Sequence, residues 1–179
     1  MSNRAERRRA EKRAREEVKR QIAKATRERA CGDCTACCTA QGVKELGKPA
    51  GVACTYLTPN QTSCSRYATR PESCRSWSCL WRVGLFNETT DRPDKRGLVF
   101  DVTGKLPAVW PGPTHQALIA REAWPGAFEE NQAWLDELSS TSVVVLVFPK
   151  GRRVLGPPDV VAEVEKKMRR MLPVLEGRS

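Results

Sequence analysis

All eight cysteines of this chain fall between Cys31 and Cys79, a stretch of 49 residues in a chain of 179. The spacing is Cys31-x2-Cys34-x2-Cys37-Cys38, then fifteen residues to Cys54, nine to Cys64, nine to Cys74 and four to Cys79. In an exported chain such density reads as a disulfide framework. Here no apolar core segment follows the basic N-terminus, so no secretory signal is expected. Glu6, Glu11, Glu16, Glu17 and Glu28 argue in the same way against a mitochondrial presequence. The expected compartment is the cytoplasm, where clustered thiols bind metal more often than they form disulfides.

The segment around them needs that metal. Residues 31–82 contain few large aliphatic side chains, and about fifty residues of this kind cannot bury enough surface to fold unaided. A structural zinc site contributes roughly 10–16 kcal/mol of apparent binding energy to folding, enough to cover the deficit. Two overlapping C-x2-C units bring successive sulfurs to one side of a tight turn, where they can converge on one ion. The run also matches the first three ligands of the bacterial ferredoxin pattern. That pattern continues with x3-Cys-Pro, whereas Cys38 follows Cys37 directly, so a fourth ligand has to come from farther along the chain. Eight thiols fit two all-cysteine zinc sites, one iron–sulfur cluster plus a zinc, or one four-ligand site with spare thiols. In an extended backbone the neighbours Cys37 and Cys38 diverge and serve different centres. Four thiolates on zinc, or on an oxidised four-iron cluster, leave about two negative charges by formal counting. Arg66, Arg70, Arg75 and Arg82 are placed to balance them or to form a solvated surface.

These residues also carry a resemblance. Cys31-x2-Cys34-x2-Cys37-Cys38, Cys54-Thr55-Tyr56-Leu57, Cys64-x2-Tyr67 and Arg70-Pro71-x2-Cys74-Arg75-x3-Cys79 resemble the YkgJ-type cysteine-cluster proteins, a family described as zinc- or iron-chelating. The likeness covers residues 31 to about 82, and more weakly Arg92-Pro93-Asp94 and Gly97-Leu98-Val99. It departs at Thr35, where relatives often carry glycine. It implies that Cys31, Cys34, Cys37, Cys38, Cys54, Cys64, Cys74 and Cys79 are metal ligands, and it implies no substrate. A similar cysteine cluster accompanies flagellin lysine methylases, but no methyl-donor signature is present here. The leading expectation is a cytoplasmic metal-binding protein holding zinc or an iron–sulfur centre. The alternative is an iron–sulfur-dependent redox or protein-modifying enzyme.

The rest of the sequence sets the frame. Residues 83–179 read as a small α+β region with a mixed sheet. Leu98, Phe100 and Val102 alternate with Val99, Asp101 and Thr103, the pattern of a half-buried strand ending at Gly104. A second strand is expected over 117–122 and a short helix around Phe128, Trp134, Leu135 and Leu138. Residues 143–148 and 152–155 read as a hairpin across Pro149-Lys150-Gly151. A last helix opens at Pro157-Pro158-Asp159, with Val160, Val161, Val164, Met168, Met171 and Leu172 on one face, and is expected to stop at Pro173. Trp77 and Trp81 flank Cys79 and read first as ordinary core. His115, the single histidine, sits in a proline-rich turn outside the cluster and reads as an exposed loop residue. No catalytic triad, P-loop or dinucleotide fingerprint occurs, so no catalytic or nucleotide-binding residues are assigned.

The longest apolar run, Val143 to Phe148, is six residues, far short of the roughly 20 that span a bilayer. The net charge of +10 is concentrated at one end: residues 1–30 hold twelve Lys and Arg against five Glu. They contain no Gly or Pro, and Ala10, Ala14, Val18 and Ile22 recur every four residues, so a solvated helix or a disordered arm is expected. A basic, aromatic-free helix of this kind is expected to give weak, salt-sensitive contact with nucleic acid or another polyanion. If it neutralises five phosphates of duplex DNA, log K falls with log salt at a slope near about −4.5. Titration at several salt concentrations, with and without residues 1–30, checks this; no binding even at low salt leaves a solubilising helix.

Overall fold

The computed structural model describes residues 3–87, 89–105, 116–149 and 151–175. The chain is α+β. A long helix α1 (Asn3–Glu28) leads into the cysteine segment, which holds two short helices, α2 (Ala36–Ala40) and α3 (Glu72–Ser76), and 3-10 turns at Lys44–Leu46 and Tyr67–Thr69. After α4 (Pro93–Arg96) come β1 (Leu98–Lys105), β2 (Gln116–Glu122), α5 (Ala127–Glu130), α6 (Gln132–Thr141), β3 (Val144–Phe148), β4 (Gly151–Leu155) and α7 (Pro158–Leu175). Among the described residues no helix is long and apolar enough to cross a membrane.

The four strands form one mixed sheet in chain order. β1 and β2 run antiparallel with Phe100 opposite Ala120, and β3 and β4 antiparallel with Val145 opposite Val154. β2 and β3 are parallel, Ala120 facing Leu146, and the crossover this requires is supplied by α5 and α6. Period two sorts the side chains between the faces. Leu98, Phe100, Ala120, Val144 and Leu146 pack with Phe128 and Leu135 of the crossover helices. Phe86, Phe100 and Trp134 meet there with ring centroids 5.0–5.6 Å apart. On the opposite face Ala117, Val143 and Val145 lie under Val160 and Val164 of α7.

That opposite face continues under β1, and here the structure differs from the expected pattern. Val99 falls on the side expected to meet solvent, yet it is fully buried beneath Ala36 and Ala40 of α2. The strand is covered on both faces because the cysteine segment packs on it. Leu80, just past the last cysteine, reaches the other core and donates its amide to the Phe100 carbonyl at 3.0 Å. Packed side chains and backbone bonds thus cross the sequence boundary near residue 82.

The helix expected around Phe128 to Leu138 forms as two pieces, broken at Asn131. The Asn131 side chain is buried and fully employed, donating to the carbonyls of Arg96 and Ala127 and accepting from the Arg96 guanidinium at 3.1 Å. It ties the crossover to α4. The last helix runs past Pro173 to Leu175; a proline in the final turn removes a single hydrogen-bond donor where the helix is already ending. Its face is described only through Val160, Val161 and Val164, since the side chains from residue 167 onward lie outside the described residues.

α1 is largely exposed, Val18 and Ile22 included, and its ion pairs lie within the helix, Lys12 with Glu16, Arg20 with Glu17, Lys24 with Glu28. Its last turn is seated. Ala25 lies against Gly84, and beyond the helix the Arg29 guanidinium donates to the carbonyls of Trp81, Leu85 and Phe86 while stacking over the Trp81 ring.

Gly97 sets the entry to β1. Its φ is +77°, and a Cβ there would stand 2.5 Å from the Trp124 ring and 2.8 Å from the Ala127 methyl. Gly97→Ala combines a left-handed residue with overpacking and is expected to cost about 2–4 kcal/mol. Gly151→Ala, where nothing stands within 4 Å, is expected to stay within about 0.5 kcal/mol of the parent. Urea denaturation of both variants tests the contrast.

Candidate metal centre

Local backbone bonds place the cysteines one by one. The Cys34 amide donates to the Cys31 carbonyl at 2.9 Å and the Cys38 amide to the Thr35 carbonyl at 2.8 Å, so the chain turns once and enters α2. The extended geometry expected for Cys37 and Cys38 does not form. Both lie on α2, and the Cys37 thiol donates to the Cys38 sulfur. The Cys54 amide donates to the Cys38 carbonyl at 3.1 Å, which brings the middle of the segment back over α2. Leu57 bridges Cys64 across the turn at Pro59-Asn60. Cys74 lies on α3, held where the Glu45 carboxylate accepts from the Ser73 amide at 3.0 Å and its hydroxyl at 2.7 Å. Cys79 is fixed by its neighbour Leu80 on β1.

The result is a common wall. All eight cysteines line one cavity of about 230 Å³, each half-buried and none in a disulfide. Among the described residues, no three Cys, His, Asp or Glu side chains stand together at metal-ligand positions. The sulfurs share a cavity without having closed on a point. The donor set is dominated by thiols, because the residues lining this cavity include no carboxylate and no imidazole beside them. Soft thiolates without carboxylate donors suit zinc or iron–sulfur and do not suit magnesium or calcium. His115 lies outside the described residues.

Three of the four arginines expected near the cluster, Arg66, Arg70 and Arg82, line the cavity. Arg66 and Arg70 stack on Tyr56 and Tyr67, with the guanidinium carbons 4.9 and 3.9 Å from the ring centroids. Arg75 instead bonds Glu72 at 2.6 Å on the exposed side of α3. Lys48 is a further cation at the cavity, one that the cysteine spacing does not point to. Its ammonium donates to the carbonyls of Thr39, Gln41 and Pro49 and faces Cys37, Cys38, Cys54 and Cys74. No local pattern links residue 48 to residue 38; the fold of the intervening loop does. The spacing does not point to Arg92 either. It joins Asp33, inside the first C-x2-C, to Asp94 beside Cys34.

Electrostatics separates the thiols. Burial pushes Cys34 up to about 12, with the Asp94 carboxylate adding to it. Cys37 is driven up by its hydrogen bond to Cys38 and by burial, and burial also raises Cys74 and Cys79. Cys38 moves the other way, to about 7, because it accepts the bond from Cys37 and lies near Lys48 and Arg70. Burial lowers the Lys48 ammonium, while the surrounding sulfurs favour its charge. Without metal, Cys34, Cys37, Cys74 and Cys79 are held toward the protonated thiol; a bound cation inverts that order by deprotonating its ligands. Trp77 and Trp81 also line the cavity, each with a satisfied indole: Trp77 donates to Asp101 at 2.8 Å and Trp81 to the Asn87 carbonyl at 3.1 Å. They serve the core and the cavity wall together.

Comparison with protein-family models, curated proteins and solved structures finds no match to this chain.

The thiol order has a direct readout, since the thiolate is the nucleophile. In reduced, metal-free protein at pH 7, iodoacetamide is expected to label Cys38 well before Cys34, and Cys38 labelling should fall as pH drops below about 7. Peptide mapping by mass spectrometry gives the sequence of labelling; Cys34 reacting first would contradict it.

Proposed function

We propose that this protein binds metal through its clustered cysteines, holding zinc or an iron–sulfur centre that completes the fold of residues 31–79. The observation that carries this reading is the single cavity lined by all eight thiols. Residues as far apart in sequence as Cys31 and Cys79 are brought to one wall whose lining residues carry no competing carboxylate or imidazole donors. The motif resemblance to the YkgJ-type proteins supports the same chemistry. So does the shortage of core. The cysteine segment contributes Ala36, Ala40, Val43, Leu80 and Trp81 as its buried apolar side chains, few for its length, and ligation supplies what packing does not. Arg66, Arg70, Arg82 and Lys48 answer the negative charge that bound thiolates would bring.

The protein purified reduced and without oxygen is expected to carry zinc or iron, and its colour separates them: iron–sulfur absorbs visible light, whereas zinc thiolate does not. Elemental analysis finding neither metal in folded protein overturns the reading. Chelation is expected to loosen residues 31–82 in hydrogen exchange while Val144–Phe148, inside the sheet, keeps its protection. Uniform loosening along the chain, or none, contradicts the coupling.

A further inference from the structure

We propose that the eight cysteines form two separate four-cysteine centres divided between Cys37 and Cys38. Cys31, Cys34, Cys37 and Cys79 hold one thiophilic metal, and Cys38, Cys54, Cys64 and Cys74 hold the other. The division rests on the metal-binding reading above and says which sulfurs share a centre.

The first set is defined by β1. Cys34, Cys37 and Cys79 pack with Trp77 against the patch made by Ala36, Ala40 and Val99. Cys31 closes on them through its carbonyl bond from the Cys34 amide, and its sulfur lies near enough to Cys37 and Cys79 to act on both. The second set is defined by the return of the chain over α2. The Cys54 amide bonds the Cys38 carbonyl, the Leu57 amide bonds the Cys54 carbonyl at 3.1 Å, and Leu57 bridges Cys64. Cys74 arrives on α3, anchored by Ser73 and Glu45, and its sulfur neighbours Cys38 and Cys54. None of these three is in the cluster around Val99.

The division falls inside α2. Cys37 and Cys38 are consecutive on a helix, so their Cβ directions differ by about 100° around its axis. The bond from the Cys37 thiol to the Cys38 sulfur crosses this boundary. When both are ligated neither keeps a proton to donate, and each sulfur turns to its own set. Each set also has a cation at hand. Arg82 lies beside Cys79, while Lys48 and Arg70 lie beside Cys38, with Lys48 reaching Cys37 as well, against the roughly two negative charges of a four-thiolate divalent site. A single shared ion would leave at least four half-buried thiols without a role around it.

The test titrates reduced, metal-free full-length protein with zinc ion against a chromophoric chelator in the absence of oxygen. The wild type is expected to take two equivalents. Cys79→Ser and Cys74→Ser are each expected to leave one, their combination none, and Cys31→Ser combined with Cys79→Ser one, because both fall in the same set. One equivalent in the wild type, or loss of both in either single variant, overturns the division while leaving metal binding intact. Protein that takes neither zinc nor iron overturns the metal reading itself, and the division with it. If the variants do not fold, X-ray absorption on the zinc-loaded wild type decides. Two separate centres give four sulfurs at about 2.3 Å and no neighbouring zinc; a short zinc–zinc vector from shared thiolates overturns the proposal.

Discussion

Burial of Val99 is the contact on which the arrangement depends. A four-stranded sheet has two apolar faces to cover, and α5, α6 and α7 cover one face and half of the other. The remaining quarter, over β1, is taken by α2, which carries two of the cysteines. The cysteine segment therefore gains a rigid floor, and β1 gains a cover it would otherwise lack. Small side chains make this approach possible. Ala36 and Ala40 let the helix backbone lie close to the strand, so that the sulfurs of Cys34 and Cys37 reach the same surface. Larger residues at these two positions would lift α2 and with it the beginning of the cavity wall.

The sequence showed the parts that depend on local periodicity. The strand around Phe100, the strand at 116–122, the hairpin from Val144 to Leu155 and the opening of the last helix stand where alternation and turn residues placed them. It was less informative where tertiary contacts decide. Alternation marked Val99 as outward because the sheet's second cover comes from residues more than fifty positions upstream. The break at Asn131 follows from bonds to Arg96 and Ala127, which no window around residue 131 contains in full. In the candidate site, the cysteine spacing identified every sulfur that lines the cavity. It could not identify Lys48 or Arg92, because their places follow from loop closure.

The thiol electrostatics and the backbone geometry describe one condition from two sides. Cys37, Cys74 and Cys79 resist ionising together, since each thiolate is penalised by burial and repelled by neighbouring sulfurs. The proton on Cys37 and the lowered Cys38 are how two adjacent sulfurs settle that conflict without a metal. Nearby cations relieve only part of it, and Lys48 is itself lowered by the same burial. A divalent cation at the centre of four sulfurs removes the conflict at its source. The backbone bonds that hold Cys34, Cys38, Cys54 and Cys74 in place do not involve the thiols, so the wall can form before the sulfurs are ionised.

The seating of α1 gives the first ligand its position. Cys31 follows the helix by two residues, and the last turn is fastened where Ala25 meets Gly84 and where Arg29 reaches three carbonyls of the loop after Cys79. The same loop begins with Trp81, whose ring Arg29 covers and which also lines the cavity. The two ends of the cysteine segment, Cys31 and Cys79, are thus held together by a cation just past the helix and a tryptophan on the loop. Gly84 is required at this crossing, because its φ is +98° and a Cβ there would stand only 2.8 Å from the Ala25 methyl. The rest of α1 points its charge into solvent and leaves the thiol wall to its own cations. The basic character of residues 1–30 is therefore separate from the charge balance of the cysteines, and only the turn of helix nearest Cys31 belongs to the site.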